Sequence, residues 1–209
     1  MQLAVFASGG GSNLEAIVHA IETGRLPATL ALVLSNKADA FALERARSHG
    51  IPTAVLDPAS FTESEYLAIL QDTLRAHHAD FIALAGYLKK IPAPFVASFR
   101  GRMLNIHPSL LPAFGGPGMY GQRIHRAVLD YGVRWTGVTV HLVDEAYDTG
   151  PVVLQEPVRV EPGDTPEQLA ARVLAVEHRL FPEALALFAQ GRVRIEGRHV
   201  LVDDEPSRT

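Results

Sequence analysis

The chain has 209 residues, 47% hydrophobic and 20% charged, and its 19 Lys and Arg against 23 Asp and Glu give a formal net charge of -4. That balance excludes a disordered chain, a collagen-like repeat and a basic nucleic-acid surface, and the length suits one domain over residues 1–209. There is no cysteine, so disulfides, thiolate metal sites and a cysteine nucleophile drop out together.

Met1 to Ser8 has no basic residue and only a short apolar run, so no secretory leader is expected. No stretch approaches the roughly 18 apolar residues of a membrane helix, and a cytoplasmic protein with no membrane contact is the expectation. Leu3 to Ala7 reads as a strand that ends in Ser8-Gly9-Gly10-Gly11-Ser12-Asn13, after which Leu14, Ile17, Val18 and Ile21 recur at helical spacing. A strand over Leu30 to Leu34 then precedes a helix over Ala40 to His49, closed by Gly50, and Thr53 to Leu56 forms a third strand. Thr62 with Glu65 three residues on is a capping box, opening a helix that carries Tyr66, Leu67, Leu70 and Leu74 before a strand over Phe81 to Leu84. This alternation predicts an α/β fold: a Rossmann-like open, mostly parallel twisted sheet with helices on both faces.

The pattern changes after Gly86. Met103 to Ile106 reads as a short buried strand, and His107 to Gly121, with Pro108, Pro112, Pro117 and four glycines, reads as a long loop. Gln122 to Asp130 is predicted helical, Thr136 to Val143 and Val152 to Val160 as strands, and Asp144 to Gly150 as their link. Thr165-Pro166 with Gln168 starts a capped helix that runs to about Gln190, where Pro182 is expected to kink or restart it. Val193 to Ile195 and His199 to Val202 alternate like a hairpin around Gly197-Arg198.

Four places carry candidate chemistry. Gly11, Ser12 and Asn13 would offer backbone N–H groups to an anion at the positive end of the following helix. A dinucleotide fingerprint would want a glycine where Leu14 stands and a P-loop would want a Gly-Lys pair, so the choice lies between a lone phosphate and a tight turn without ligand. Asn105 and His107 sit two apart at a strand end, which places an amide donor and an imidazole on one face. The acidic stretch Asp144 to Asp148 is either a solvated turn or the source of a carboxylate that raises and orients the His107 imidazole. Glu177 shares a helix face with Leu169, Val173, Val176 and Leu180, and a carboxylate among apolar residues needs a partner or a role. His77-His78 and the remaining histidines form no metal-binding spacing, and Gly-x-Ser-x-Gly is absent.

Taken together, Ser8-Gly9-Gly10-Gly11-Ser12-Asn13-Leu14, Ser35-Asn36-Lys37-Ala38-Asp39-Ala40, Asn105-Ile106-His107-Pro108-Ser109-Leu110-Leu111-Pro112 and Val140-His141 leading to Asp148-Thr149-Gly150-Pro151 closely resemble the glycinamide ribonucleotide formyltransferases. These are folate-dependent enzymes of purine synthesis, and the chain length resembles that of their stand-alone bacterial members. The resemblance implies that Gly11, Ser12 and Asn13 hold the phosphate of phosphoribosylglycinamide and that Glu177 contacts its ribose. It places 10-formyltetrahydrofolate as co-substrate against Leu88, Lys89, Lys90, Ile91, Asn105 and Val143. Catalysis falls to Asn105 as donor to the developing oxyanion, His107 as protonated acid, and Asp148 as the group keeping it protonated. It implies neither a metal nor a covalent enzyme intermediate, and a monomer or homodimer acting on small molecules. Three departures stand out: Thr62-Glu63-Ser64-Glu65 lacks the basic residue frequent after Phe61, Ala113 to Gly121 is a longer and glycine-richer loop, and Lys89 replaces a frequent arginine.

Overall fold

The computed structural model describes residues 1–204. Among the described residues, nine strands and six α-helices follow one another as β1 (Gln2–Phe6), α1 (Ser12–Glu22), β2 (Thr29–Ser35), α2 (Phe41–Ser48), β3 (Thr53–Val55), α3 (Glu63–Ala76), β4 (Phe81–Leu84) and α4 (Ala93–Ser98). They continue as β5 (Met103–His107), α5 (Gln122–Tyr131), β6 (Trp135–Leu142), β7 (Val152–Arg159), α6 (Pro166–Ala189), β8 (Val193–Glu196) and β9 (His199–Val202). The main sheet runs β3-β2-β1-β4-β5-β6-β7, parallel through β5 and antiparallel for β6 and β7, while β8 and β9 form a separate antiparallel hairpin.

Both faces of the sheet are covered because the strand side chains alternate between two cores. Leu3, Val5 and Ala7 of the first strand segment pack with Leu14 and Ile17 of α1, Leu43 of α2 and Phe181 of α6. Ala4 and Phe6 face the other way, toward Tyr66 and Leu70 of α3 and Phe95 of α4. Strand order reverses between β1 and β4, and a crevice opens beyond the carboxyl ends of the strands at such a switch point. Both glycine turn and Asn105-Ile106-His107 lie at that edge.

The capping boxes at Thr62 and Thr165 are both formed, each threonine accepting from the N3 backbone while Glu65 or Gln168 reaches back. One local expectation changes in part, and one element is new. Helix α6 continues through Pro182 as one 24-residue element instead of restarting there. Proline removes only the single N–H that would reach the His178 carbonyl, and the flanking Phe181, Ala184 and Leu185 are fully buried, so packing holds the helix together. The short α4 had no sequence signal of its own; it is six residues long and follows Pro92.

Candidate active site

A cleft of about 650 Å³ opens at the carboxyl edge of the sheet. Its walls bring together Asn105, His107, Asp148, Asn13 and Glu177, residues that span nearly the whole chain. Leu88, Lys89, Lys90, Ile91 and Val143 line the same cleft. Gly11 and Ser12 do not line it; they sit at the head of α1, immediately before Asn13.

The glycine turn is held in shape by contacts on its outer side. Gly11 has φ 73°, and a Cβ there would meet the Cα and Cβ of Ala42 at 2.8 Å, so glycine is required twice over, by conformation and by the approach of α2. Arg45 of α2 donates from Nε to the Gly10 carbonyl at 2.9 Å and from Nη1 to Glu15 at 3.0 Å. The first N–H groups of α1 have no partner inside the helix, which leaves them for an anion. Ser8 ties the turn to the opposite wall: its Oγ donates to Asn36 Oδ1 at 2.5 Å and accepts from the Leu88 N–H at 2.9 Å.

Asn13 and Glu177 form a buried pair across a long stretch of sequence. Asn13 Nδ2 donates to Glu177 Oε2 at 2.6 Å, and Glu177 is only 8% exposed. Burial pushes the Glu177 carboxyl above its ordinary value, against the opposing pull of the Asn13 hydrogen bond. Asn13 Oδ1 is buried without a hydrogen-bond partner. The pair therefore holds spare acceptor capacity facing a cleft.

At the other end, cross-strand pairing assembles the titratable groups. Asn105 on β5 stands opposite His141 on β6, and the two side chains meet at 3.1 Å through Asn105 Nδ2 and His141 Nε2. His141 Nδ1 lies 2.8 Å from the Leu142 carbonyl, so Nε2 is the nitrogen that faces both Asn105 and Asp148; the Asn105 amide carries two N–H groups, of which this contact engages one at most. Asp148 sits in the left-handed region at φ 55° and places its carboxylate between two histidines, 3.6 Å from His107 Nδ1 and 3.6 Å from His141 Nε2. The Gly116 N–H donates to Asp148 Oδ2 at 2.8 Å. Gly115 permits this approach, since a Cβ on it would meet Leu111 Cδ2 at 2.5 Å and Asp148 Cβ at 3.3 Å. Burial acts to raise the Asp148 carboxyl, but His141, His107 and the Gly116 N–H together hold it below the usual range.

His107 corrects one expectation. Asp148 was expected to raise the imidazole; instead burial dominates and holds it below its ordinary value of 6.5, with Asp148 and the Phe114 carbonyl pulling upward against it. His107 Nε2 lies 2.9 Å from the Phe114 carbonyl and Nδ1 faces Asp148, so both ring nitrogens look at oxygen acceptors. Only the imidazolium would donate to both, and burial of the 4%-exposed ring opposes that charge in the free protein.

His141 is the residue that sequence reasoning left without a role. Its signal is the antiparallel register that pairs it with Asn105, which becomes visible only once β5 and β6 are aligned. Of the three departures, Thr62 to Glu65 is occupied by the capping box of α3, and Lys89 Nζ lies 3.8 Å from Asp57. Among the described residues, no helix is long and apolar enough to cross a membrane.

Comparison with known proteins points to one family. A family model described as formyl transferase matches residues 1–185. The chain is 40% identical over 206 residues to the phosphoribosylglycinamide formyltransferase of Escherichia coli, covering 98% of this chain and 95% of that protein. It is 47% identical over 195 residues to a chloroplastic phosphoribosylglycinamide formyltransferase of Arabidopsis thaliana, covering 92% of this chain and 67% of the plant protein. Among solved structures, glycinamide ribonucleotide transformylase 1 from Symbiobacterium toebii superposes with a TM-score of 0.91 at 44% identity, covering 98% of this chain and 94% of that one.

Proposed function

From the premise that the chain belongs to the formyl transferase family and is a transferase, we propose that it moves the formyl group of 10-formyltetrahydrofolate to the amine of phosphoribosylglycinamide, a step of purine biosynthesis. The observation that carries this reading is that Asn13, the residue directly after the glycine turn, and Glu177 line one cleft with the Asn105, His107 and Asp148 cluster suited to acyl chemistry. Gly11, Ser12 and Asn13 hold the phosphate and Glu177 reads the ribose. The whole of residues 1–209 serves as one formyltransferase domain.

The lining around Leu88 to Ile91 supports a folate subsite by its composition, apolar side chains beside two lysines. Leu84, Ile91, Val96 and Val143 give it apolar walls, and Leu88, Lys89 and Lys90 line the same cleft, the lysines offering positive charge to an anionic ligand group. When bound, the folate supplies the electrophilic formyl carbon. The free N–H of Asn105 donates to the formyl oxygen as negative charge develops there, on an amide that His141 already fixes. His107 begins neutral, takes up the proton released by the attacking amine, and returns it toward the departing nitrogen. Asp148 stabilises the imidazolium during that interval and is held ionised for the purpose. No bond from the protein to the formyl carbon is needed.

The test is absorbance-monitored loss of the formyl group from 10-formyltetrahydrofolate, with and without phosphoribosylglycinamide and with and without chelator. Turnover only with the ribonucleotide, and unchanged by chelator, is the expected result. Formate release without the ribonucleotide would overturn it in favour of a hydrolase, and silence in every tube would overturn formyl transfer to this acceptor.

A further inference from the structure

The cleft has a polar group that the reaction as described does not use. His125, in the first turns of α5, is 6% exposed and lines the cleft together with Glu177, Asn13 and the α6 residues Ala170, Ala171 and Leu174. Its imidazole makes no hydrogen bond within the protein among the described residues, and Nδ1 is fully buried without a partner. A buried ring nitrogen left unpaired costs free energy comparable to a lost hydrogen bond. Burial alone holds the ring below its ordinary value, so near neutral pH it is an uncharged imidazole with one donor and one acceptor.

We propose that His125 is a specificity-determining residue of the ribonucleotide subsite, donating to an oxygen of a ribose hydroxyl whose own proton is given to Glu177 or Asn13. The chemistry of the neighbouring groups selects a hydroxyl over a phosphate. Asn13 Oδ1 is an acceptor without a donor, and Glu177 accepts from Asn13 at Oε2 only, which leaves Oε1 as a further acceptor. Two acceptors repel a phosphate oxygen and require a donor. A hydroxyl that donates to either keeps a lone pair, and the N–H of a neutral imidazole completes that hydroxyl's bonding. α5 packs on α6, the helix that carries Glu177, so His125 and Glu177 reach the cleft from two helices packed on each other. Sites built to hydrogen-bond a hydroxyl reject the analogue that lacks it, because the protein groups are then left unpaired. This inference rests on the proposal that Glu177 faces the ribose.

The experiment uses the full chain, phosphoribosylglycinamide and its analogues lacking one ribose hydroxyl each. His125→Ala and His125→Gln are compared with the unmodified protein, with thermal melting as the check on folding. His125→Ala is expected to raise the KM for phosphoribosylglycinamide about tenfold, the worth of one hydrogen bond, with kcat and the folate KM within about twofold. With one of the deoxy analogues that penalty disappears, and His125→Gln recovers most of the affinity for the full substrate. An equal penalty on every ribose analogue, or a penalty shared by the folate KM, makes His125 a packing residue and overturns the proposal. If the alanine variant does not fold, ribose 5-phosphate is titrated into the unmodified protein and the His125 ring nitrogens are followed by NMR. A shift at His125 is expected, and its absence while the signals of Asn13 respond overturns the assignment. Failure of the unmodified protein to turn over any of these substrates is a different outcome, which removes the functional reading itself.

Discussion

The parallel strands β1 and β2 and the antiparallel edge, the pair of β5 with β6, bring different materials to the site. From β1 and β2 come backbone groups: a left-handed Gly11, the open N–H groups at the start of α1, and a turn clamped from behind by Arg45 and Ala42. From β5 and β6 come side chains: Asn105, His107 and His141, fixed by cross-strand register and completed by Asp148 from the following loop. Backbone groups are pre-organised and carry fixed partial charge, which suits holding an anion that does not change during the reaction. Side chains that titrate or reorient suit a centre where charge appears and moves. The comparison says that binding and chemistry are divided between the two halves of one sheet, and variants in each half should divide the kinetic constants in the same way.

The largest effect is expected at the antiparallel edge. Asn105→Ala removes a donor to the developing oxyanion, typically worth about 3 kcal/mol, so turnover should fall about a hundredfold or more while the KM for ribonucleotide barely moves. Steady-state kinetics decides it: a loss below tenfold removes Asn105 from the chemistry. The counterpart in the parallel half is Gly11→Ala. Its Cβ would press on Ala42 at 2.8 Å in a backbone region that alanine disfavours, a strain on the order of 2 kcal/mol. That cost should appear as weaker ribonucleotide binding by calorimetry and a lower melting temperature. If Gly11→Ala instead lowered kcat alone, the division between the halves would fail.

Glu177→Gln sharpens the same comparison at the point where the two materials touch. The carboxyl is buried, pushed upward by desolvation, and holds one hydrogen bond from Asn13. A glutamine oxygen keeps that bond without the buried charge, and its amide can donate to the unpartnered Asn13 Oδ1. The variant should therefore be more stable near neutral pH by about 1 kcal/mol while the KM for ribonucleotide rises roughly tenfold, the worth of one charged hydrogen bond. Urea unfolding and kinetics on one preparation test both signs. A variant both less stable and fully active would mean that Glu177 serves the fold alone.

Most of this division was legible in the sequence, and the exceptions have physical reasons. The strand, glycine turn and helix over residues 2–22 could be read locally, because the signals are short-range: periodicity, left-handed glycine and a helix start. Asn105 and His107 share a face by strand alternation alone. His141 could not be read that way, since its role depends on a register between strands separated by the whole of the long loop and α5. His125 was hidden for a related reason: on α5 it looks like one polar residue of an amphipathic helix, and only packing against α6 shows it to be buried. The sign of the His107 shift was the least legible, because it is the difference between two opposed effects, burial and a nearby carboxylate, and sequence shows the second without the first.

That balance sets the smallest effect and the finest test of the antiparallel edge. His107 is held below 6.5 by burial while Asp148 pulls it upward from 3.6 Å. In the free protein its NMR titration midpoint should lie below 6.5, and in Asp148→Asn it should lie lower still, because the carboxylate that opposed burial has lost its charge. His125 and His178 are also depressed by burial. The unfolded chain therefore binds protons near the ordinary histidine value that the fold refuses. Stability is full above that value and falls as pH drops through it toward the folded midpoints, by an amount on the order of 1 kcal/mol for each unit that a single midpoint is depressed. Asp148 and Glu15 have the opposite placement: held below 3.8 and 4.5, they stabilise the fold above those values and withdraw that contribution only in stronger acid. Urea unfolding at intervals from pH 7.5 to pH 5.5, repeated in Glu177→Gln to remove the raised carboxyl whose protonation acts in the opposite sense, isolates the histidine contribution. A flat profile together with a His107 midpoint above 6.5 would mean that the carboxylate outweighs burial, and that His107 enters the reaction already protonated.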